Sequence, residues 1–350
     1  MSEITCASRF RGHVIEEVQV QARDPPLNQG TLASLDMQSL HYVVRPSHRL
    51  VISSIKGYFT RFPPRTQSHH HFRMSSVDTD IEPHTSGLAA AFAASHAEEH
   101  PLKLYGGWFC PFVQRSWMVL HEKRIPHQYI EINPYRKEPE FLALNPRGLV
   151  PTLGVPVDAK GKEQKPLYES TVICEYLDEA YDDESKYGPR LLPKDAYERA
   201  RCRLWIDHIN SRIIPKFYRF LQHTPDKSYS IEEARNDFLG QIRILVKEMD
   251  PSGPWFLGDH HSLVDIMLAP WAKRLFLIDH YKPGGVGIDN TKEPDTWARW
   301  QSWYDATLAR QSTKDTWSTE DKYIATYKRY AEDTTQSEVG RATRTGGKLP

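Results

Sequence analysis

Apolar positions between residues 102 and 181 follow two different periods. In the run 128–132 they alternate with polar positions, as in a half-buried strand. In the run 111–123 they recur every three or four positions, as on one face of a helix. The full predicted order is a strand at 102–105, a helix at 111–123, a strand at 128–132, a short helical turn at 141–144, strands at 150–153 and 166–169, and a helix at 170–181. This order predicts a small α/β domain over residues 101–186.

A second region follows a linker at 187–194, which is rich in proline and glycine. No strand pattern appears after this linker. Asp195 and Ser262 are suited to begin helices, because short polar side chains at an N-cap accept hydrogen bonds from backbone N–H groups. The predicted helices cover residues 195–209, 231–249, 262–271 and 297–308. The pattern therefore predicts an all-helical domain over residues 195–330.

Both ends of the chain lack a sustained period. Residues 1–100 carry proline breaks and a histidine tract at 69–71, and we predict that they are mostly disordered. Acidic residues in this segment argue against a transit peptide, so a start of translation at Met74 is favoured over a targeting segment. We expect the histidine tract to be solvated rather than to bind a metal. The polar residues 331–350 are predicted to form a disordered tail.

Composition narrows the classes of function. Lys plus Arg and Asp plus Glu both number 45, so a formal net charge of zero argues against nucleic acid or an anionic membrane as the main partner. The four cysteines form no C-x-x-C pair, disulfide framework or zinc pattern, which favours a reduced, cytoplasmic setting without a bound metal. Membrane association is not expected, because the longest apolar runs are too short to span a bilayer.

Cys110 is the main candidate for chemistry. It follows the first predicted strand and precedes Pro111, a residue suited to the first position of a helix. Free N–H groups and the positive end of the helix dipole favour a thiolate at such a place, and a thiolate is the nucleophile in thiol exchange. Position 113 is valine, so no resolving cysteine follows, and monothiol chemistry is expected. Cys174 and Cys202 lie in apolar helical patterns and are predicted to be structural.

Three motifs make the chain resemble the cytosolic glutathione transferases, and in particular the omega class, including its fungal members. The segment 109–112, Phe-Cys-Pro-Phe, resembles the omega active-site sequence, in which cysteine replaces the tyrosine or serine of other classes. The segment 145–153 resembles the loop that leads into a cis-proline, and 168–181 resembles the omega third helix. Ser262 and Asp265 match the capping box of the family's core helix. The resemblance covers residues 100–330.

The resemblance implies a glutathione transferase fold, in which a thioredoxin-like domain with a mixed four-stranded sheet precedes an all-α domain. It implies glutathione as co-substrate, a small disulfide or electrophilic acceptor as partner, and a homodimer. The implied activity is that of a thiol transferase or reductase: Cys110 forms a mixed disulfide with glutathione and a second glutathione releases it. Deglutathionylation and dehydroascorbate reduction are the expected reactions. The implied glutathione-binding residues are Phe112, Lys137, Val150, Pro151, Glu169 and Ser170.

Several of these roles compete with purely structural ones. In the family, the N–H and C=O of Val150 before Pro151 pair with the cysteinyl part of glutathione, whereas a proline here could equally mark a strand edge. Glu169 suits the α-ammonium of the γ-glutamyl group and the N–H groups after it suit the carboxylate, although Ser170 could simply cap the helix. Lys137 corresponds to a lysine near the glycyl carboxylate, with a solvated surface lysine as the alternative.

Aromatic and basic residues near the motif have alternatives as well. Trp271 and Trp108 are expected in the second-substrate pocket, and core packing is the alternative for both. Tyr105 could act as the tyrosine of other transferase classes, but an ordinary strand aromatic is favoured. Arg115 is expected to form a structural ion pair rather than to act in catalysis.

Two other classes of function stay open. Chloride intracellular channel-like proteins share this fold and a Cys-Pro-Phe-x-Gln-Arg motif, which residues 110–115 match, and they associate with membranes. Against this class, Glu169 and Ser170 are retained and the third helix is closer to the omega class. The chain could also be a binding module of the same fold without turnover, although the presence of Cys110 argues for an enzyme.

Overall fold

A computed structural model of the protein describes residues 81–158 and 163–350. The predictions of disorder before residue 81, of a solvated histidine tract and of a start at Met74 lie outside these residues. The elements of the first half are α1 (Gly87–Ala94), β1 (Lys103–Gly106), α2 (Pro111–Glu122), β2 (Gln128–Glu131), α3 (Pro139–Leu144), β3 (Thr152–Pro156), β4 (Gln164–Tyr168), α4 (Ser170–Ala180) and α5 (Glu184–Tyr187).

The second half contains no further strand among the described residues. Its helices are α6 (Ala196–His208), α7 (Ile214–Leu221), α8 (Ile231–Val246), α9 (Leu263–Lys273), α10 (Leu275–Tyr281), α11 (Pro294–Ala309), α12 (Gln311–Asp315), α13 (Glu320–Ala331) and α14 (Glu338–Thr345), and a π-helical turn at Ile209–Ile213 joins α6 to α7.

The four strands form one mixed sheet in the order β2-β1-β3-β4. Strand β1 pairs in parallel with β2 and antiparallel with β3, which pairs antiparallel with β4. Helix α2 supplies the crossover that parallel β1 and β2 require. Gly106 ends β1 at a point where an added Cβ would lie 2.4 Å from Val113 Cγ1, so a glycine there allows α2 to pack closely on the sheet. The predicted mixed four-stranded sheet, followed by a helical domain, is confirmed.

Helix α9 lies at the centre of the helical domain, and its residues 263–272 are all buried. The predicted capping box at its start is present. One carboxylate oxygen of Asp265, Oδ2, accepts hydrogen bonds from the N–H and hydroxyl of Ser262, both at 2.8 Å. The other, Oδ1, accepts from the N–H of Phe256 and from Nε1 of Trp303, also at 2.8 Å. Four donors therefore compensate one buried negative charge.

A buried ion pair holds the linker against the α/β domain. Lys123, directly after α2, and Asp178 in α4 are both fully buried, and Lys123 Nζ lies 3.0 Å from Asp178 Oδ1. The same carboxylate accepts hydrogen bonds from the N–H groups of Leu191 and Leu192, at 2.8 and 3.0 Å. This carboxylate thus fixes the linker to two helices of the first domain.

The structure differs from the sequence prediction at two helices. Helix α1 lies within the segment predicted to be disordered, where Ala89 is buried and Phe92 stacks on Trp117 with ring centroids 5.4 Å apart. Helix α14 lies within the predicted disordered tail, where Val339 is buried. Both helices are short and are held by contacts with distant residues, so their own sequence gives little periodic signal.

Loss of the Asp265 carboxylate is expected to destabilise the helical domain. We predict that Asp265→Ala lowers the free energy of unfolding by at least about 3 kcal/mol, because four buried donors lose their acceptor. Urea denaturation followed by circular dichroism measures the change. The exposed helix cap Asp195, which accepts from the N–H of Glu198 at 2.9 Å, is the control: Asp195→Ala should cost about 1 kcal/mol. Equal losses in the two variants would contradict the prediction.

Candidate functional site

Cys110 lies at the junction of β1 and α2, as predicted. It is the N-cap of α2, with extended backbone angles of φ −79° and ψ 118°, and Pro111 occupies the first helical position. Its Sγ lies 3.9 Å from the carbonyl oxygen of Val150. The backbone N–H groups of Phe112 and Val113 face the sulfur and favour its thiolate form. The sequence thus placed the thiol at a helix N-terminus correctly.

The pKa of Cys110 departs from the expectation. Burial raises the pKa of this thiol above its ordinary value, although the two backbone N–H groups and the guanidinium groups of Arg274 and Arg115 act in the opposite direction. The helix N-terminus therefore reduces the cost of forming the thiolate without overcoming the loss of solvent. The sequence could not reveal this, because the residues around position 110 include Val150 and residues of the helical domain, which are distant in the chain.

Two donors from the helical domain hold the peptide carbonyl that precedes Cys110. Tyr327 Oη donates to the carbonyl oxygen of Phe109 at 3.0 Å, and Arg274 Nη2 donates to the same oxygen at 3.3 Å. Arg274 also donates to Tyr327 Oη at 2.9 Å and to Gln114 Oε1 at 2.7 Å. Arg274, directly after α9, and Tyr327 in α13 thereby fix the loop before Cys110, and Arg274 also fixes the helix after it.

Arg115 makes a second tie between the domains, and it is not the ion pair that was expected. It is almost completely buried, and its guanidinium donates to the carbonyl oxygen of Met267 at 2.9 and 2.7 Å, to Ser170 Oγ at 3.2 Å and to Asn210 Oδ1 at 2.8 Å. It also lies over the ring of Trp271, 4.5 Å from the centroid. All these acceptors are neutral, and Arg115 also lines the second of the two cavities described below. Its contacts join the two domains through neutral acceptors instead of through the expected ion pair.

Two neighbouring cavities meet at the wall formed by Phe112, Leu149 and Val150. The first, of about 460 Å³, contains Cys110 and Lys137 in its lining. The second, of about 580 Å³, is lined by Pro151, Glu169 and Ser170 together with residues of α6 and α7. The structure thus brings together Cys110 and all six residues that the resemblance implied for glutathione, divided between two adjoining spaces.

The loop 145–153 has the backbone form that its motif implied. The Val150–Pro151 peptide bond is cis. Asn145, almost completely buried, donates from Nδ2 to Thr152 Oγ1 at 2.9 Å and to the carbonyl oxygen of Leu149 at 3.3 Å, which closes the loop on itself. These bonds hold Val150 beside Cys110.

Glu169 and Ser170 lie at the start of α4, and neither side chain caps the helix. Glu169 is the N-cap residue and has a φ of +72°, an uncommon conformation for a residue with a side chain. Its Oε1 accepts from Arg147 Nη1 at 2.9 Å, and both side chains are about half exposed. Ser170 is the first helical residue, and its hydroxyl accepts from Arg115 instead of capping the helix. The first N–H groups of α4 therefore have no side-chain cap, and Glu169, Ser170 and Thr171 line the second cavity.

Lys137 lines the first cavity near the glycine of the loop. A Cβ added at Gly148 would lie 2.9 Å from Lys137 Nζ, so the lysine packs directly on this backbone. Burial lowers the pKa of Lys137, and Glu338 in α14 acts in the opposite direction. A positive charge is thus available at the edge of the first cavity.

The two tryptophans expected in the second-substrate pocket are in the core and line neither cavity. The Trp108 indole N–H donates to the carbonyl oxygen of Glu82 at 2.8 Å, and its ring packs edge-on against Tyr323. The Trp271 ring is enclosed between Phe112, 5.0 Å away, and the guanidinium of Arg115. The prediction therefore fails for both residues, because partners from other elements cover their rings.

The remaining candidates behave as ordinary structural residues. Tyr105 Oη donates to Gln164 Oε1 at 3.2 Å, and Tyr105 lines neither cavity, so it is a strand aromatic as favoured. Cys174 and Cys202 are buried, and neither forms a disulfide. Burial raises the pKa of their thiols to about 12 and about 11. Both are structural, as predicted.

The first cavity has an aromatic wall, and a segment covers both cavities; neither feature was predicted from the sequence. The wall consists of Tyr218 from α7 and Tyr327 and Tyr330 from α13. The cover is the segment 336–350, which includes α14 and contributes to the lining of both cavities. Spacing of three between Tyr327 and Tyr330 indicates a common helix face, but nothing in the sequence shows which cavity that face meets.

The described residues offer no alternative centre of metal chemistry. Within residues 81–158 and 163–350, no group of three or more histidine, cysteine, aspartate or glutamate side chains is placed to hold a metal ion. Across the same residues, none of the helices has both the length and the apolar character needed to cross a bilayer.

Comparisons with known proteins agree with this geometry. Residues 109–180 match the model of the glutathione S-transferase N-terminal domain, and residues 228–306 match that of the C-terminal domain. Glutathione S-transferase omega-1 of Sus scrofa is 37% identical over 176 residues, which are 50% of this chain and 67% of that protein. The pyrimidodiazepine synthase of Drosophila melanogaster is 30% identical over 200 residues, 56% of this chain and 74% of that protein.

A solved structure extends the match over both domains. Glutathione transferase Omega 3C from Trametes versicolor is 38% identical, covers 67% of this chain and 97% of its own, and superposes with a TM-score of 0.59. Rice GST1, solved in complex with glutathione, is 25% identical, covers 65% of this chain and 96% of its own, and has a TM-score of 0.53. The site geometry is consistent with these matches: a cysteine lies at the start of α2, near the cis-proline Pro151 and the uncapped start of α4. The chain therefore belongs to the glutathione S-transferase family and is an omega-like, glutathione-dependent transferase.

Proposed function

We propose that the protein is a monothiol glutathione-dependent thiol transferase, which reduces small disulfides and glutathionylated thiols. The observation that carries the proposal is the single cysteine at the N-cap of α2. This cysteine lines a cavity that adjoins residues suited to binding glutathione. Position 113, one turn into the helix, is a buried valine, so Cys110 has no resolving cysteine on its own helix. A disulfide formed at Cys110 therefore has to be resolved by an external thiol.

Glutathione in this proposal extends along the wall shared by the two cavities. Lys137 meets its glycyl carboxylate in the first cavity. The backbone N–H and C=O of Val150 pair with its cysteinyl part beside Cys110. In the second cavity, the carboxylate of Glu169 meets the α-ammonium, and the free N–H groups at the start of α4 meet the γ-glutamyl α-carboxylate. Each charged end of the peptide thus faces a group of opposite charge.

The reaction has two exchange steps. In the first step, the Cys110 thiolate attacks the glutathionyl sulfur of a mixed disulfide; the bond between Cys110 and that sulfur forms, and the acceptor leaves as a thiolate that takes a proton. In the second step, the thiolate of a second glutathione attacks the glutathionyl sulfur on Cys110. Oxidised glutathione leaves, and the Cys110 thiolate is regenerated at the helix N-terminus. The oxidised glutathione contains the glutathionyl group of the substrate and one free glutathione, so one free glutathione thiol is oxidised for each mixed disulfide reduced.

The second substrate binds in the first cavity against Tyr218, Tyr327 and Tyr330. These rings suit a flat or apolar acceptor, and dehydroascorbate is a further acceptor that we expect the enzyme to reduce. Conjugation of aromatic electrophiles should be slow, because a cysteine at this position forms disulfides rather than only stabilising the thiolate of glutathione. Association into a homodimer stays a prediction.

Cys110→Ser tests the nucleophile. We predict that it lowers glutathione-dependent reduction of 2-hydroxyethyl disulfide by at least about 100-fold, because a serine hydroxyl cannot form the mixed disulfide. Cys202→Ala, at a buried cysteine outside both cavities, is the matched control and should keep its turnover. Wild-type activity in Cys110→Ser would refute the monothiol mechanism.

Titration of Cys110 tests its burial. A thiol with a raised pKa stays protonated to higher pH, so the thiolate appears only as the pH rises. We predict that iodoacetamide labels Cys110 slowly at pH 7. The labelling rate should still be rising as the pH passes about 8.5, the ordinary pKa of a cysteine. Peptide mass spectrometry separates this site from Cys174 and Cys202, which should stay unlabelled over the same range. A labelling rate that is constant from pH 6 to 8 would show a thiolate already formed and contradict the prediction.

Glu169→Gln tests the γ-glutamyl end of the site. Removal of the carboxylate charge leaves the α-ammonium with a neutral partner, and one charge-assisted hydrogen bond is worth about 1.5 kcal/mol. We therefore predict that the KM for glutathione rises by about tenfold while the rate of Cys110 labelling is unchanged. Glu179→Gln, an exposed glutamate on the same helix and outside both cavities, is the control. If both variants keep the wild-type KM, Glu169 does not bind glutathione.

A further inference from the structure

The segment 346–350, which we call the strap, leaves helix α14 and enters the cleft. Gly346 has a φ of +66°, the left-handed conformation that glycine tolerates best, and the N–H of Gly347 donates to the carbonyl oxygen of Ala342 at 2.9 Å. This turn redirects the chain at the end of the helix. Leu349 then packs against the core, and Pro350 lines both cavities.

Helix α14 is anchored firmly before the strap begins. The carboxylate of Asp333 accepts from Gln222 Nε2 at 3.0 Å and from Arg344 Nη1 at 3.0 Å, and it forms an ion pair with Lys227. Arg344 also donates to the carbonyl oxygen of Thr335 at 2.8 Å. Because these bonds fix α14 against α7, the direction in which the strap starts is set by the fold.

The strap crosses the path proposed for glutathione. Lys137 lines only the first cavity, whereas Glu169 and Ser170 line only the second. A peptide that contacts Lys137 at one end and Glu169 at the other therefore has to pass the shared wall at Val150. Pro350 lies at that same boundary, and the other strap residues line the second cavity. Five extended residues reach about 17 Å, which is enough to span such a cleft.

The strap itself is held weakly. Among the described residues, positions 346–350 are tied to the rest of the chain by the backbone hydrogen bonds of Gly346 and Gly347, which both end on the carbonyl oxygen of Ala342 in α14. Gly346, Gly347 and Lys348 are exposed, and two successive glycines give the backbone freedom to swing away. Displacement of the strap therefore breaks little besides the contacts of Leu349 and Pro350.

We propose that the strap is an intramolecular ligand of the glutathione cleft, which competes with glutathione and has to leave before the tripeptide binds. The inference rests on the proposed glutathione site. Competition of this kind reduces apparent affinity by the fraction of time the cleft is open, so a strap that is closed nine-tenths of the time weakens glutathione binding about tenfold. The helix α14 that carries the strap keeps its place throughout.

The test measures glutathione binding by isothermal titration calorimetry, with Cys110→Ser in every protein so that no disulfide forms. The full chain is compared with a chain shortened to end at Thr345. We expect glutathione to bind the shortened chain about tenfold more tightly. Leu349→Asp keeps the full length and removes the apolar anchor, so it should change the affinity in the same direction and provides the test if the shortened chain does not fold. Thr345→Ala, on α14 and outside both cavities, is the control and should bind like the full chain.

The outcomes separate the two proposals. Equal or weaker binding by the shortened chain and by Leu349→Asp overturns the strap as a competitor while the glutathione site stands. Absence of glutathione binding by every protein overturns the proposed glutathione site, and the strap proposal with it.

Discussion

Two buried guanidinium groups connect the cysteine-bearing helix α2 to the helical domain. Arg115, on α2 itself, reaches the carbonyl of Met267, and Arg274, after α9, reaches Gln114 and the carbonyl of Phe109. Hydrogen bonds to neutral acceptors compensate the cost of burying both cations, and among the described residues neither guanidinium has a carboxylate partner. The position of Cys110 consequently depends on the packing between the domains as well as on its own strand–helix junction.

This arrangement determines the electrostatics of the thiol. The N-terminus of α2 and the two cations favour a thiolate, while the enclosure that their packing creates disfavours it, and the enclosure dominates. A thiol with a higher pKa is less often ionised at neutral pH, but each thiolate is a stronger nucleophile. The same packing provides the aromatic wall of Tyr218, Tyr327 and Tyr330, so the pKa of Cys110 and the shape of the first cavity are two results of one domain interface.

The cleft combines a rigid side with a covered side. On the rigid side, the loop around Val150 is closed by Asn145, and the start of α4 is held through Ser170 and Arg115. On the covered side, α14 is fixed by Asp333, whereas the strap beyond it makes few contacts. A site whose binding groups are preorganised loses little conformational entropy on binding, so under the two proposals above the main cost of glutathione binding lies in moving the strap.

The sequence by itself determined the order of strands and helices, the cysteine at a helix N-terminus, the loop before Pro151 and the helix start at Glu169. These features follow from local periodicity, capping and short motifs, which act over a few neighbouring residues. Only the tertiary structure decided that Trp108 and Trp271 are enclosed in the core, that burial raises the pKa of Cys110, and that the segment 336–350 covers the cleft. These properties depend on contacts between residues far apart in the chain, and local sequence patterns do not record which distant surfaces meet.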